Sequence, residues 1–444
     1  MIPLYDYQKE AVEAMLSGRV LNTSHIGIGK TLMALGCIEQ LEAKTNMVVA
    51  PKSLLAQWEE EINKFMPDYA PLVISGTPKK RQEKYKLFSE LQPKKILIVG
   101  YETLRIDMGI IAKTVWDTVI FDEAHKLKEP NTLLKKSLKL LIAHHRFGLS
   151  GSPVVNHFGN TYNILNALVP DKFPNYYAFV ATFTIKTMAK GLLIFKDQDK
   201  IVKMFSPYIV SKTLEDAGGS LPELQEIDIP IELSDRERSI YNKMLMELIF
   251  EFEDGDVTKL RSPMVLQNLL AKVGKLQEVT DHLLLVGDHD ESSKMDALKE
   301  VLENNIGENE KAILFTRFSR MAEMIHKKFP SHLITGQTND RADVLKDFKA
   351  RGKLLVMTNA GREGLNIQEA NVIIMYDQDF TASGMEQRIG RAWRRGQTQR
   401  VRVYHLMAKK TIDYTRRRQN IRKRGLAEEL QGVVDKESLL ELLS

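Results

Sequence analysis

Short apolar runs recur along this chain, separated by longer stretches whose apolar residues return every three or four positions. Arg19–Asn22, Met47–Ala50, Leu72–Ser75, Ile96–Val99, Thr118–Phe121 and Phe147–Leu149 form one series; Ile313–Thr316, Leu333–Thr335, Leu354–Met357, Val372–Tyr376 and Val401–Tyr404 form a second. Such continuous runs, without polar alternation, predict strands of parallel sheets covered on both faces. The stretches between them supply the covering helices. From Ser53 onward, Leu54, Leu55, Trp58, Ile62 and Phe65 fall on one helical face, with Glu59, Glu60 and Lys64 outside. Leu4–Val12 and Thr31–Leu41 have the same period.

The pattern predicts an α/β protein of two parallel-sheet lobes with helical insertions between them. The first lobe is placed at 1–220, with a helical insertion from about 154. The second is placed at 221–444, with a helical insertion at about 230–290 and a basic or brace helix at its C-terminal end. The turn-rich Asp216–Ser220 is the candidate boundary. Phe173–Tyr177, Ser239–Phe252 and Met264–Thr280 supply aromatic and helical stretches in the region between the two strand series.

Composition narrows the classes. With 444 residues, 43% hydrophobic and 27% charged, the chain has the profile of a globular protein of two or three domains. No apolar run reaches the ~18 residues of a membrane helix. The N-terminal residues Met1–Asp6 lack the basic head and apolar core of a secretion signal. The single cysteine, Cys37, is read as a helix-packing residue and points to a reducing compartment. A cytoplasmic location is expected, nuclear in a eukaryote, with the chain a monomer. Net charge is +5, but Met385–Arg424 holds fourteen Lys/Arg against two acids, so the remainder is acidic. That concentration predicts a polyanionic partner, with a solvated helical face as the alternative.

Chemistry concentrates in polar turns after the strands, where open α/β sheets bind ligands. Gly27-Ile28-Gly29-Lys30-Thr31 lies between a strand and a helix. Its glycines let backbone N–H groups approach phosphate oxygens, Lys30 reaches the β- and γ-phosphates, and the Thr31 hydroxyl takes a Mg2+ position. The full pattern wants glycine at position 24, where this chain has Ser24. Gln8 offers a donor and an acceptor to an adenine edge. Asp122-Glu-Ala-His125, a DEAH box, follows a buried strand; Asp122 is assigned to Mg2+ and Glu123 to the attacking water. In Gln387–Gln397, a continuous helix would place Gln387, Arg391 and Arg394 on one face, where arginines can neutralise charge on a transferring phosphoryl group. Arg388, Arg395 and Arg400 are candidates for a DNA-facing side of that helix. Hydrolysis by groups from both lobes would require the lobes to close.

These motifs together resemble a superfamily-two helicase core, and within it the Swi/Snf-like DNA-translocating ATPases. The resemblance runs through Tyr7-Gln8, Gly27–Thr31, Val49–Glu59, Asp122–His125 and Leu149–Asn156, then Ser293–Met295, Ile313–Thr316, Ala360–Asn366 and Gln387–Gln397. It implies RecA-like lobes, ATP and Mg2+ as cofactors, and double-stranded DNA bound through its phosphates without sequence preference. It further implies Lys52, Ser53, Tyr101, Thr316, Arg317, Gly361 and Asn366 near the nucleic-acid path, and Gly364 near the nucleotide. The chain departs from the family pattern at Ser24-His25, where an acidic pair is usual, and at Ala124, Ser150, Ser152 and Trp393. No departure removes a catalytic group. Accessory modules are not evident, so the expectation is a compact motor of bacterial or phage type. Arg416–Arg418 with Arg422–Arg424 is read as phosphate contacts, a nuclear-localisation-like run or a helix bracing the two lobes, the last being favoured.

The expected activity is ATP-dependent translocation on duplex DNA that remodels or displaces bound proteins. Two alternatives stay open. A strand-separating helicase shares the catalytic residues but needs an unwinding element, for which Phe173–Tyr177 is the candidate. A non-hydrolysing ATP-gated clamp is the other, and the intact Lys30, Asp122, Glu123, Arg391 and Arg394 argue against it.

Overall fold

The computed structural model describes residues 2–425 apart from 26, 93, 131, 152–157, 188–192, 214–215, 219–220, 254–262, 359–365, 380–381 and 395. In the first unit the strands are β1 (Leu21–Asn22), β2 (Thr45–Ala50), β3 (Ala70–Ile74), β4 (Lys95–Gly100), β5 (Val115–Phe121) and β6 (Ile142–Leu149). A hairpin, β7 (Thr184–Thr187) with β8 (Leu193–Phe195), and the two-residue β9 (Ile209–Val210) complete it. The second unit holds β10 (Leu224–Ile231), β11 (Ala312–Phe315), β12 (His332–Ile334), β13 (Leu354–Met357), β14 (Val372–Met375) and β15 (Val401–Ala408). Contacts divide the chain into two compact units, one within 1–220 and the other within 221–444.

The first sheet has the order β3-β4-β2-β5-β6-β1-β9 and the second β10-β15-β14-β11-β13-β12. All neighbouring strands in both pair in parallel. Alternate residues of the first sheet feed two cores. Val48, Ile98 and Ile120 pack with helices α1 (Asp6–Leu16), α2 (Lys30–Gln40) and α3 (Leu55–Phe65); Met47, Val99 and Phe121 pack on the other side. That is why β2 reads as an unbroken apolar run. On α3, Leu55, Trp58 and Ile62 are the buried positions, as the helical period predicts.

The β7–β8 hairpin and two strands of the parallel sheets are absent from the hydrophobic pattern. β9 is too short to carry a period, yet it pairs with β1 and closes the sheet edge beside the glycine loop. β10 carries Glu226, Asp228 and Pro230, which the pattern does not read as a strand. An edge strand paired only with β15 tolerates all three, because one side needs no ladder hydrogen bonds. Phe158, Tyr162, Phe173, Phe179 and Phe205 form an aromatic subcore. Tyr162 stacks on Phe179 with ring centroids 4.4 Å apart, and Phe173 is buried edge-on against Tyr162. In Phe173–Tyr177, the candidate unwinding element, Phe173 is core, whereas Pro174, Asn175 and Tyr177 are exposed. No described helix is long and apolar enough to cross a membrane.

Candidate nucleotide and nucleic-acid site

β1 delivers the chain into the glycine loop, and α2 begins at Lys30. Gly27 and Gly29 take φ of 90° and 88°, a left-handed region that side chains disfavour. A Cβ at Gly29 would sit 2.5 Å from Gln8 Nε2, so the cradle admits only glycine there. Between them the Ile28 carbonyl accepts two hydrogen bonds, from the Tyr7 hydroxyl and from Gln8 Nε2, each 2.9 Å. Gln8 Oε1 also accepts the Tyr5 N–H, 3.0 Å. Both ends of the Gln8 carboxamide are therefore engaged within the protein, and Gln8 is fully buried. In this structure Gln8, the candidate adenine-edge reader, pins the tip of the loop.

Ser24 answers for its own departure from the glycine pattern. It is buried, and its hydroxyl accepts the Lys212 N–H, 2.9 Å, tying the loop to the segment after β9. Lys30 Nζ arches back to donate to the carbonyls of Ser24 (2.8 Å) and His25 (3.1 Å). Left-handed glycines, a helix N-terminus behind them and a lysine across the mouth fit a polyphosphate. Thr31 stands half-buried in the first turn of α2.

Asp122 follows β5, separated from the β1 loop by β6, about 10 Å across two strand spacings. Its Oδ2 accepts the Trp58 indole N–H and its Oδ1 the Glu123 N–H, each 2.9 Å. Burial and the neighbouring Glu123 carboxylate push the Asp122 carboxyl up to about 6, against the Trp58 and Glu123 N–H bonds and the nearby Lys30 ammonium. A half-buried acid held this way is suited to exchange its proton for a metal ion. Glu123 stands at φ 50°, aiming its carboxylate off the strand line, and Oε2 lies 3.1 Å from His125 Nδ1. Positive φ at a non-glycine residue is strain held by its surroundings.

The remaining rim positions divide. Lys52 and Ser53 are exposed at the start of the turn after β2. Tyr101 is buried and donates its hydroxyl to the Asp122 carbonyl, 2.7 Å. Its hydroxyl thus supports the acidic strand end. Thr316 is likewise buried, its hydroxyl spent on Asp377 at 2.6 Å, and the Arg317 N–H donates to the same carboxylate. Asn366 is half-buried. Gly361, Gly364 and Arg395 lie outside the described residues.

The arginine segment departs most from expectation. Its helix covers Ala382–Ile389 and stops there, so Gln387, Arg391 and Arg394 do not share a helical face. Arg391 and Arg394 instead occupy a turn. The Ile367 N–H donates to the Arg391 carbonyl (3.0 Å), and Gly396 sits at φ 96°. Gln397 Nε2 bonds the carbonyls of Gln368 (2.9 Å) and Ala370 (2.8 Å), while the Trp393 indole N–H bonds the Pro222 carbonyl at 2.7 Å. Beyond the helix, a glycine at left-handed φ and two side chains bonded to backbone carbonyls fix the course of this turn. Arg388 does not face solvent. It is 1% exposed and set between Asp377 (3.7 Å) and Asp379 (3.3 Å), above the Phe315 ring. Its reading as a DNA contact is corrected to a buried ion pair.

Much of the basic block is used internally as well. Arg416 Nη1 bonds Gln277 Oε1 at 2.9 Å, and Arg417 pairs with Glu226 and Asp228 on β10. Residues 412–425 thus brace the second unit's own edge strand and helices. Arg400 pairs with Glu223, and Arg402 with Glu310. The side chains of Arg422–Arg424 lie outside the described residues.

A glycine cradle opening a helix, with an acidic strand end beside it on a parallel sheet, defines a P-loop type of nucleotide-binding unit. The SNF2-related domain model matches residues 7–285, and the helicase conserved C-terminal domain model matches 293–396. The chain belongs to the SNF2-related family. It is similar to the ISWI chromatin-remodeling complex ATPase ISW1 of Saccharomyces cerevisiae, 26% identical over 430 residues, covering 87% of this chain and 36% of that protein. It is also similar to an uncharacterized ATP-dependent helicase of Mycoplasma genitalium, 25% identical, covering 92% of this chain and 40% of that one. The chain thus spans well under half the length of these relatives. Among solved structures it resembles the Sulfolobus solfataricus SWI2/SNF2 ATPase core in complex with dsDNA, 24% identical with a TM-score of 0.46, covering 100% of this chain and 95% of that one.

Proposed function

We propose that this chain is an ATP-dependent translocase on double-stranded DNA, remodelling DNA or displacing bound proteins. Family membership supports the use of ATP with Mg2+. The observation that carries the reading is Asp122: a half-buried acid just beyond β5, its carboxylate held by the Trp58 and Glu123 N–H groups, two strands from the glycine loop that opens α2 at Lys30.

Lys30 would exchange the carbonyls of Ser24 and His25 for phosphate oxygens, releasing the loop mouth. Thr31 and Asp122 would hold Mg2+, and Glu123, turned off the strand by its φ, would orient and deprotonate water. Bound ATP with Mg2+ supplies the phosphoanhydride whose hydrolysis drives the cycle. Phosphoryl transfer needs positioning and charge neutralisation more than covalent chemistry, which suits this donor set. Arg391 and Arg394 are proposed to neutralise the charge that develops, with Gln387 donating a hydrogen bond to the same phosphate oxygens. On the nucleic-acid side, Lys52 and Ser53 are the exposed candidates, and contacts to phosphates give sequence-independent, salt-sensitive binding.

The test is steady-state ATP hydrolysis with no nucleic acid, duplex DNA, single-stranded DNA and RNA. Strong stimulation by duplex DNA supports the translocase. Preference for single strands or RNA moves the assignment to a strand-separating helicase, and absence of turnover in all four moves it to an ATP-gated clamp.

A further inference from the structure

The Asp122 carboxylate is held by a side chain from outside its own strand. Trp58 lies on α3, which packs on β3 and β4; its ring is buried in the core on that side of the sheet, and its N–H donates to Asp122 Oδ2. The same short rod carries Lys52 and Ser53 at its other end. The 3-10 turn Lys52–Leu54 runs into α3 with Leu55 already in helical geometry, and the Leu54 N–H closes the turn onto the Pro51 carbonyl at 2.9 Å. Six residues of helical rise separate Lys52 from Trp58, about 9 Å. Two further bonds secure the acid's backbone: the Asp122 N–H donates to the Val49 carbonyl (2.8 Å), and its carbonyl accepts the Tyr101 hydroxyl (2.7 Å). Val49 and Tyr101 sit at the ends of β2 and β4, the strands that lead into the two rim turns.

We propose that Trp58 is a positioning residue that couples the exposed Lys52–Ser53 turn to the Asp122 carboxylate through the rod formed by that turn and α3. The proposal rests on the reading of Lys52–Ser53 as a duplex contact and of Asp122 as a metal ligand. A phosphate engaged at the turn pulls on the rod's first residues. Because the rod is close-packed on the sheet, it moves as a body, and the indole N–H is the polar group through which that motion reaches the acid. Duplex DNA thereby changes how Asp122 is presented, without touching it.

The protein holds tryptophans at 58, 116 and 393, so fluorotryptophan labelling yields three resonances, and Trp58→Phe assigns one of them. The nucleotide-free full chain is titrated with a short labelled duplex, and fluorescence anisotropy reports occupancy. The expected result is a shift of the Trp58 resonance at duplex saturation with the Trp116 resonance unmoved. Lys52→Ala, brought to the same occupancy, cancels the shift. In turnover, Trp58→Phe lowers the ratio of duplex-stimulated to DNA-free hydrolysis at least about fivefold, the low end of coupling between sites. A bound duplex that leaves Trp58 unmoved, an undiminished shift in Lys52→Ala, or an unchanged ratio overturns the coupling while leaving the translocase reading intact. Absence of duplex binding by anisotropy overturns the duplex reading and the coupling with it.

Discussion

Asp122 and Asp377 stand in corresponding places, each just beyond a central parallel strand, β5 in the first unit and β14 in the second. Their surroundings differ in sign. Beside Asp122 lies a second carboxylate, Glu123, and the hydrogen bonds it receives come from neutral groups, the Trp58 indole and the Glu123 backbone. Asp377 faces the Arg388 guanidinium and accepts from the Thr316 hydroxyl and the Arg317 backbone. An acid buried against another acid is a standing electrostatic cost that a cation relieves. An acid buried against an arginine is already answered. The first is built to bind and the second to hold strand ends together. The same contrast extends to the Lys294 ammonium, fully buried between Asp281 (2.9 Å) and Asp413 (2.7 Å). Burial opposes its charge, but the two carboxylates prevail and hold it above the ordinary lysine range.

The comparison can be broken most forcefully at Glu123. Glu123→Gln is expected to lower turnover by about 10²–10⁴-fold, the usual contribution of a positioned base, with ATP binding retained. Normal turnover by that variant would remove the water-positioning role. Next in size is Arg388→Met, which strands Asp377 and Asp379 without their cation. Urea unfolding should show a loss of about 3–5 kcal/mol. A change within about 0.5 kcal/mol would place Arg388 among ordinary surface groups.

A smaller effect depends on pH. In the metal-free fold the Asp122 carboxyl is raised from 3.8 to about 6. Between those values the folded chain keeps a proton that the unfolded chain releases, so this residue's relative contribution to stability is lost as pH rises towards about 6. Asp122→Asn has no proton to lose. Its stability advantage over the natural chain should therefore grow from about pH 4 to about pH 6, by at most about 1.4 kcal/mol per pH unit, and then level off. Unfolding midpoints across that range check it; a constant difference would show that Asp122 titrates normally. The smallest effect is expected from Trp393→Phe, which removes the bond to the Pro222 carbonyl and should cost about 1 kcal/mol.

What the sequence made legible is what repeats. Apolar four-residue runs revealed most of the parallel strands, and glycine spacing with a following lysine located the loop. Asp122 was visible because it follows β5 directly. Arg388 was not distinguishable from Arg391, because no local pattern says which arginine of a basic run meets an acid from another strand. The course of the turn beyond Ile389 was hidden for a similar reason. It is fixed by Gln397 and Trp393 reaching carbonyls at Gln368, Ala370 and Pro222, remote in sequence. Trp58 was legible as a core position by its period, but its N–H donation to Asp122, 64 residues away, was not. β10 escaped because edge strands accept charges and proline that central strands reject.

The most direct test of the contrast is equilibrium unfolding of Asp122→Asn beside Asp377→Asn, at about pH 7.5 and without nucleotide. Asp122→Asn is predicted to be at least as stable as the natural chain. Asp377→Asn is predicted to lose about 1–3 kcal/mol, since the bonds from the Thr316 hydroxyl and the Arg317 N–H lose their charge assistance and Arg388 keeps only Asp379 as a counter-charge. A destabilised Asp122→Asn with an unaffected Asp377→Asn would contradict the division between a binding acid and a structural one.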